Sequence, residues 1–514
     1  MEKKLVLGPP GTGKTTFLVN TFRKLLERGV DPERIAYVSF TRKAAQEARD
    51  RCVQSLSLPA SRFPHVKTLH SIAFRENGLA TSDVMNNENY REVSDYLGIN
   101  IMPVNESRGL GEDTMIGFHL ALARNLRRDY EQHFRSVAGS TTLKRFNFGS
   151  LDRGGSLAEF LRAARVLEQY KRKNNLWDFH DMLEAGTHCD PLPVDYAIID
   201  EAQDLSPLQW QFAAQMFKNV KTCWIAGDDD QAVYSWSGAD LHTFRNMQAE
   251  RTVLDQSYRL PESIWKFAIK IAEMIDDRYE KEWKPRSDSG ELHFVTGLEE
   301  CPLNNSESWY LLTRTRSQQY ELTRWLRFHG FPYTQNGKDS IKKEHIRLAN
   351  TWTKLQRGEY VPVSSALAVY DFMRDEQLQP DARKKLSMLP LDDRIKLPEL
   401  VSSCGLINAD GIWHDVLLID KTDSNYYRAV KDNLGMDALI SEPRIAVHTM
   451  HGVKGGEADN VYFSNSMGQK PYSYYKTGHT RDDEARIFYV AATRARKRLF
   501  VKMSPRCPFP VPKN

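Results

Sequence analysis

The stretch Gly8-Pro9-Pro10-Gly11-Thr12-Gly13-Lys14-Thr15 has the spacing G-x-x-x-x-G-K-[ST]. In that pattern glycines let backbone N–H groups curl around an anionic phosphate. Lys14 adds a charge that reaches the β and γ positions of a nucleotide, and the Thr15 hydroxyl is placed to ligate Mg²⁺. A second chemical group is Asp200-Glu201, which closes an apolar run. Asp200 can hold Mg²⁺ through water, and Glu201 can orient and deprotonate an attacking water, so the pair suits hydrolysis better than storage of nucleotide. Each group has a plainer reading, a Gly-rich turn before a helix and a polar strand end. Asp-Glu alone is weak evidence, and the phosphate loop before it makes the pair strong.

These groups need elements to hold them. Leu5-Val6-Leu7 reads as a short buried strand before the loop, and Thr16 opens a helix to Glu27, stopped by Gly29, whose N-terminus faces the phosphates. Thr16 is therefore counted with the nucleotide-binding residues. Ile35–Phe40 is a second buried strand, followed by a helix bearing Ala44, Ala45, Ala48 and Cys52 on one face. The strand Tyr196–Ile199 leads into Asp200-Glu201, and Thr222–Ala226 leads into Gly227-Asp228-Asp229-Asp230-Gln231. Polar residues at the carboxyl ends of strands mark the binding edge of an open α/β sheet. A second α/β series begins near Val253, with strands at Trp309–Leu312, Ile445–His448, Asn460–Phe463 and Leu499–Val501. The chain has no internal repeat.

Hydrophobic residues make up 41% and charged residues 27% of the 514, the balance of a soluble globular protein with several domains. No apolar run reaches membrane-spanning length, and no membrane partner is expected. The chain goes from Met1 straight into the nucleotide loop, so that a signal peptide would have to remove the motif itself, and a cytoplasmic protein is expected, nucleoid-associated in a prokaryotic or viral setting. Six scattered cysteines without a C-x-x-C pair indicate neither zinc nor disulfides, and the net charge of +4 does not decide the substrate.

The phosphate loop, Asp200-Glu201-Ala202-Gln203-Asp204 and the run from Gly227 to Ala239 together resemble the UvrD/Rep/PcrA family of superfamily 1 DNA helicases. Similar segments continue in order: Tyr37–Ala45, Thr68–Ser71, Trp177–Leu183, Tyr258-Arg259, His448–Glu457 and Tyr489–Ala495. The resemblance implies an α/β fold of two RecA-like parallel-sheet lobes, each interrupted by a mainly helical insertion, with ATP and Mg²⁺ in the cleft between them. The expected division is a first lobe at 1–77 and 189–252 around an insertion at 78–188, and a second lobe at 253–335 and 443–514 around an insertion at 336–442. By the same resemblance the first lobe supplies Lys14, Thr15, Asp200, Glu201 and the γ-phosphate sensor Gln231. The second supplies Arg259 and Arg494, with Glu457 on the ribose. Arginines delivered from a second lobe make hydrolysis depend on cleft closure, because charge on the transferred phosphoryl group needs cations.

For nucleic acid, the resemblance points to Phe40, Tyr234 and Trp236 as base-stacking residues, with Thr41, Lys43, His70 and His451 along the strand path. Stacking tolerates any sequence, since every base has a π face. Aromatic residues in a sheet protein more often belong to the core. Trp236 sits instead in a polar Ser-Trp-Ser-Gly loop, and for His70 and His451 a structural hydrogen bond is an equal alternative. The implied activity is ATP-dependent translocation on single-stranded DNA and unwinding at single/double-strand junctions with 3′→5′ polarity, in repair or replication. A loading or repair protein partner is left open. Two other readings stand beside it: an ATP-regulated nucleic-acid-binding switch that displaces proteins without unwinding, and a small-substrate phosphotransferase.

The sequence departs from the family pattern in places. No glutamine motif precedes the phosphate loop, so weak discrimination of ATP from other triphosphates is expected. Ser235 and Ser237 flank Trp236 where arginines are common, and Arg42 replaces a usual asparagine. The second insertion, at about 336–442, is shorter than the family's common one, and no appended nuclease is expected after Arg494.

Overall fold

The computed structural model describes residues 1–40, 42–56, 58–103, 115–138, 157–411, 413–478 and 480–512. Strand β1 (Glu2–Leu7) is buried where Leu5, Val6 and Leu7 lie, and its carboxyl end opens into the phosphate loop. The helix Lys14–Glu27 follows, presenting Leu18, Val19, Phe22 and Leu25 to the sheet at helical spacing. Strands β2 (Ile35–Ser39), β3 (Val66–Lys67), β4 (Tyr196–Asp200), β5 (Thr222–Gly227) and β6 (Glu250–Val253) complete a six-stranded parallel sheet in the order β3-β2-β4-β5-β1-β6. Strands β4, β5 and β1 are neighbours, so their carboxyl ends deliver Asp200, Gly227 and the phosphate loop side by side. The chain stays in this sheet through Val253, because β6 pairs with β1.

The second sheet holds β7 (Glu291–Val295), β8 (Trp309–Thr313), β9 (Tyr333–Gln335), β10 (Lys338–Asp339), β13 (Ile445–Thr449), β14 (Ala458–Ser464) and β15 (Ala495–Lys502). Their order is β10-β9-β13-β8-β14-β15-β7, parallel except for the β9–β10 hairpin. A two-stranded ribbon of β11 (Val361–Pro362) and β12 (Arg394–Ile395) lies among helices between β10 and β13. The α/β class with parallel sheets is thus the fold of this chain.

Helical segments interrupt both sheets. Between β3 and β4, the helices Asn87–Leu97, Met115–Asn125 and Leu157–Asn174 share a small core around Phe160, Ile116 and Leu120. They are anchored by buried ion pairs, with Lys171 on Asp178 and Asp181 at 2.8 Å each and Arg124 on Asp178 at 3.2 Å. Between β10 and β13, helices such as Lys343–Gln356 and Lys421–Leu434 bury Trp352, Tyr370 and Tyr427 in a core continuous with the second sheet. No described helix is long and apolar enough to cross a membrane.

Burial pushes the imidazoles of His65, His70, His119 and His133 down to about 4 and that of His451 to about 3. Below the unfolded value near 6.5 the unfolded chain takes up protons that these native imidazoles refuse. Stability therefore falls as pH drops from about 6.5 toward 4, by about 1.4 kcal/mol per pH unit for each proton in excess. Burial raises Asp200 to about 6 and Asp204 to about 7, which acts in the opposite sense, but these carboxyls are outnumbered. A melting temperature several degrees lower at pH 5 than at pH 7 is expected, and an equal or higher one would contradict this balance.

Candidate active site

The phosphate loop is held from both ends. The Gly8 N–H donates to the Gly227 carbonyl at 3.0 Å, and the Phe17 N–H closes the first helical turn on the Gly13 carbonyl at 2.8 Å. Gly8 has no room for a side chain, since a Cβ there would fall 2.0 Å from Lys14 Cγ. Gly11 has φ +73°, and a Cβ on it would lie 2.3 Å from Arg259 Cβ. Lys14 Nζ donates to the Gly8 carbonyl at 3.0 Å and stands 3.7 Å from Glu201 Oε1. Thr12 folds back on the Pro9 carbonyl at 2.8 Å, and Thr16 is exposed at the start of the helix.

Asp200 is buried at the end of β4, where Oδ2 accepts from the Tyr37 hydroxyl at 2.9 Å and from Thr15 Oγ1 at 3.5 Å. Two oxygens of opposite elements thus converge beside the phosphate loop, a hard donor set that fits Mg²⁺. Glu201 has φ +54°, an unfavourable conformation for a residue with a side chain, held by its N–H on Asp200 Oδ1 and by Gln203 Nε2 on its Oε2 at 2.6 Å. Against a burial cost, Lys14 and Lys454 hold the Glu201 carboxyl down to about 2, while burial and the Glu201 charge push Asp200 up to about 6. The more readily ionised member of the pair is therefore Glu201.

Residues of the second-sheet half close over this loop. The Ser257 hydroxyl donates to the Pro10 carbonyl and the Tyr258 N–H to the Gly11 carbonyl, both at 2.8 Å. Arg259 follows, paired through Nε with Glu457 Oε2 at 2.7 Å. Arg494, at the amino end of β15, is 1% exposed. Its hydrogen bonds end on neutral oxygens: the Val490 carbonyl at 2.9 Å, the Gly456 carbonyl at 3.3 Å, Thr493 Oγ1 at 3.0 Å and Gln231 Oε1 at 2.9 Å. Burial and the charge of Arg259 push the Arg494 guanidinium down to about 9. An anion in the cleft relieves that penalty.

Lys454 lies on the stretch that returns from β13 to β14. Its ammonium donates to the Gln231 carbonyl at 2.8 Å and to the Asp204 carboxylate, stands 3.8 Å from Glu201 Oε2, and sits 5.4 Å from the centre of the Tyr234 ring. Tyr234 is buried and stacks on Phe40 at 5.4 Å, and Trp236 follows at 6.5 Å from Tyr234. Phe118 of the first insertion stacks on Trp236 at 6.0 Å. His70 is half-buried with its ring edge-on to Phe179 at 5.6 Å, and His451 is half-buried just before Lys454. Thr41 and the side chain of Lys43 lie outside the described residues.

The fold thus brings together Gly8 to Thr15, Asp200, Glu201, Gln231, Arg259, Glu457 and Arg494 in one cleft, and Phe40, Tyr234 and Trp236 in one adjoining row. Sequence reasoning passed over Tyr37, Asp204, Lys454, Phe118 and Lys281. Lys454 stands inside a segment quoted for its resemblance, and Tyr37 is a lone hydroxyl on a buried strand. Lys281, the partner of the buried aspartates after β5, carries no local signal.

Comparison with known proteins adds to this geometry. Residues 1–252 match the UvrD/REP helicase N-terminal domain and residues 429–505 the UvrD-like helicase C-terminal domain. A probable DNA helicase of Mycoplasma pneumoniae is 27% identical over 271 residues, 49% of each chain. A probable DNA helicase II homolog of Mycoplasma genitalium is 21% identical over 600 residues, 97% of this chain and 82% of that one. The ATP-dependent DNA helicase PcrA of Bacillus subtilis is 25% identical over 311 residues, 56% of this chain and 39% of the relative. The chain thus spans about half the length of the first of these relatives and four-fifths of the second.

Proposed function

We propose, on the premise that this chain belongs to the UvrD/Rep helicase family, that it is an ATP-dependent translocase on single-stranded DNA that unwinds duplex at single/double-strand junctions. The proposed polarity is 3′→5′. Lys14 and the loop amides hold the β and γ phosphates, while Thr15 and Asp200 hold Mg²⁺, which when bound neutralises phosphate charge. Glu201 takes a proton from water as its oxygen attacks the γ-phosphorus. The bond to the bridging oxygen breaks and ADP and phosphate result. Gln231 senses the γ-phosphate, Arg259 and Arg494 neutralise the charge that develops on it, and Glu457 meets the ribose. Phe40, Tyr234 and Trp236 stack on bases, with Thr41, Lys43, His70 and His451 along the strand path.

The observation that carries this reading is the position of Lys454. One ammonium touches the Gln231 carbonyl, neighbours Glu201 and lies over the face of Tyr234. A base that displaces the Tyr234 ring moves a cation beside the hydrolytic carboxylate. Occupancy of the strand path and hydrolysis are coupled through that one side chain. A phosphotransferase needs an acceptor pocket where the second sheet's arginines stand.

The test is steady-state phosphate release from ATP and Mg²⁺ without polymer and with single-stranded DNA, duplex DNA or single-stranded RNA, using Lys14→Ala as the blank. Stimulation of tenfold or more by single-stranded DNA is expected. Rapid release indifferent to every polymer would overturn the motor reading.

A further inference from the structure

Asp228, Asp229 and Asp230 are fully buried beyond the end of β5, with ligand oxygens within 4.8 Å of one another, as around a cation. The cation is Lys281. Its Nζ, with no side-chain exposure, donates to Asp228 Oδ1 at 2.8 Å and Asp230 Oδ2 at 2.9 Å, and also to Asp229. Arg278 adds a two-pronged pair on Asp230 at 2.9 and 2.6 Å. Lys281 and Arg278 belong to the chain between the helix Glu262–Ala272 and β7, so the cluster joins the two sheet-bearing halves.

The three carboxylates differ in what else they hold. Asp230 is engaged by Arg278, and Asp229 Oδ2 accepts from the Tyr279 N–H at 2.6 Å. Asp228 turns its second oxygen to Gln231, whose Nε2 donates to it at 2.6 Å. On the other side Gln231 Oε1 accepts from Arg494 Nη2 at 2.9 Å. An ionised carboxylate only accepts and a guanidinium only donates, so the Gln231 amide has a single satisfied orientation. Against the cost of burial, Lys281 keeps Asp228 below the ordinary carboxylate range, which preserves its acceptor role.

We propose that Asp228, fixed by Lys281 from the other half of the molecule, is a positioning residue that sets the amide of Gln231 for the γ-phosphate. This rests on the reading of Gln231 as the γ-phosphate sensor. The cluster makes the sensor answer to both halves at once, because Lys281 and Arg494 reach it from the second-sheet side while Gln231 follows β5. A Gln231 amide turned the wrong way sets acceptor against acceptor at Asp228 and donor against donor at Arg494, and neither is compensated by water.

The test is a double-mutant cycle on single-stranded-DNA-stimulated ATP hydrolysis with Asp228→Asn, Gln231→Ala and the pair. Asn keeps an acceptor for Lys281 and presents an NH₂ to Gln231. Asp228→Asn should lower kcat about tenfold with KM for ATP within about twofold, the effect of one misplaced buried hydrogen bond. Gln231→Ala should lower kcat about a hundredfold, and adding Asp228→Asn should then change it by less than about twofold. A second readout is the ratio of affinities for a fluorescent non-hydrolysable ATP analogue and ADP, which should shrink in both single variants. Multiplying effects would overturn the positioning role while leaving the sensor intact. Wild-type turnover in Gln231→Ala would overturn the sensor and this inference together. If Asp228→Asn does not fold, Asp228→Glu, which keeps the charge and moves the acceptor by one methylene, enters the same cycle with the same outcomes.

Discussion

Glu201→Gln should lower DNA-stimulated kcat about a thousandfold, within the range lost with a general base, while binding nucleotide as tightly as the parent or more tightly. The side chains are isosteric, so the local structure that holds Glu201 survives. Its Oε2 accepts from Gln203 Nε2, and a glutamine carbonyl satisfies the same donor. What disappears is the charge. Lys14 stands 3.7 Å and Lys454 3.8 Å from this carboxylate, and without it both cations turn to other anions. For Lys14 the available anion is the nucleotide's own phosphate, which is why affinity is retained as turnover collapses. Single-turnover hydrolysis beside equilibrium binding of a fluorescent ATP analogue separates the two effects. Normal turnover would remove Glu201 from its role, and weakened binding would show that its charge holds the loop rather than the water.

Much of this site is legible in the sequence because its residues lie where strands end. A phosphate loop after Leu5-Val6-Leu7, an acidic pair after Tyr196–Ile199 and a polar turn after Thr222–Ala226 each carry their own local signature. The order β4-β5-β1 then brings them together. Parallel sheets make such readings work, since every strand delivers its carboxyl end to the same edge. The residues that were missed act across the chain. Lys281 meets Asp228 from 53 residues away and Lys454 meets Gln231 from 223 residues away. Neither contact has a sequence period to betray it.

Side-chain context also decided which aromatic residues could be read. Trp236 stood out because its neighbours are polar, and Phe118 did not, because in Met115–Asn125 it is one apolar residue among many. The structure seats it on Trp236. The strand β6 is exposed along its whole length, so burial pattern gave it no signature, and only its pairing with β1 puts it in the first sheet.

Arg494→Ala should abolish coupling between closure and hydrolysis, lowering kcat about a thousandfold, the lower end of what an arginine supplied to transferring phosphoryl groups contributes. The guanidinium is buried with only neutral oxygens as hydrogen-bond partners, a costly arrangement unless something anionic arrives. Burial and Arg259 already disfavour its charge, so a phosphoryl group bearing extra charge in the transition state is the partner it lacks. Arg494→Lys should fail to restore turnover to more than about a tenth, since one ammonium cannot span Val490, Gly456, Thr493 and Gln231 as the planar fork does. Affinity for ADP should change little, because ADP lacks the group that Arg494 serves. Turnover within threefold of the parent in Arg494→Ala would assign the buried guanidinium to packing alone. A parallel loss of ADP affinity would place its contribution in the ground state. A fall in kcat with ADP binding intact puts the second-sheet half of the molecule into the chemical step, and makes closure of the cleft the event that strand binding controls.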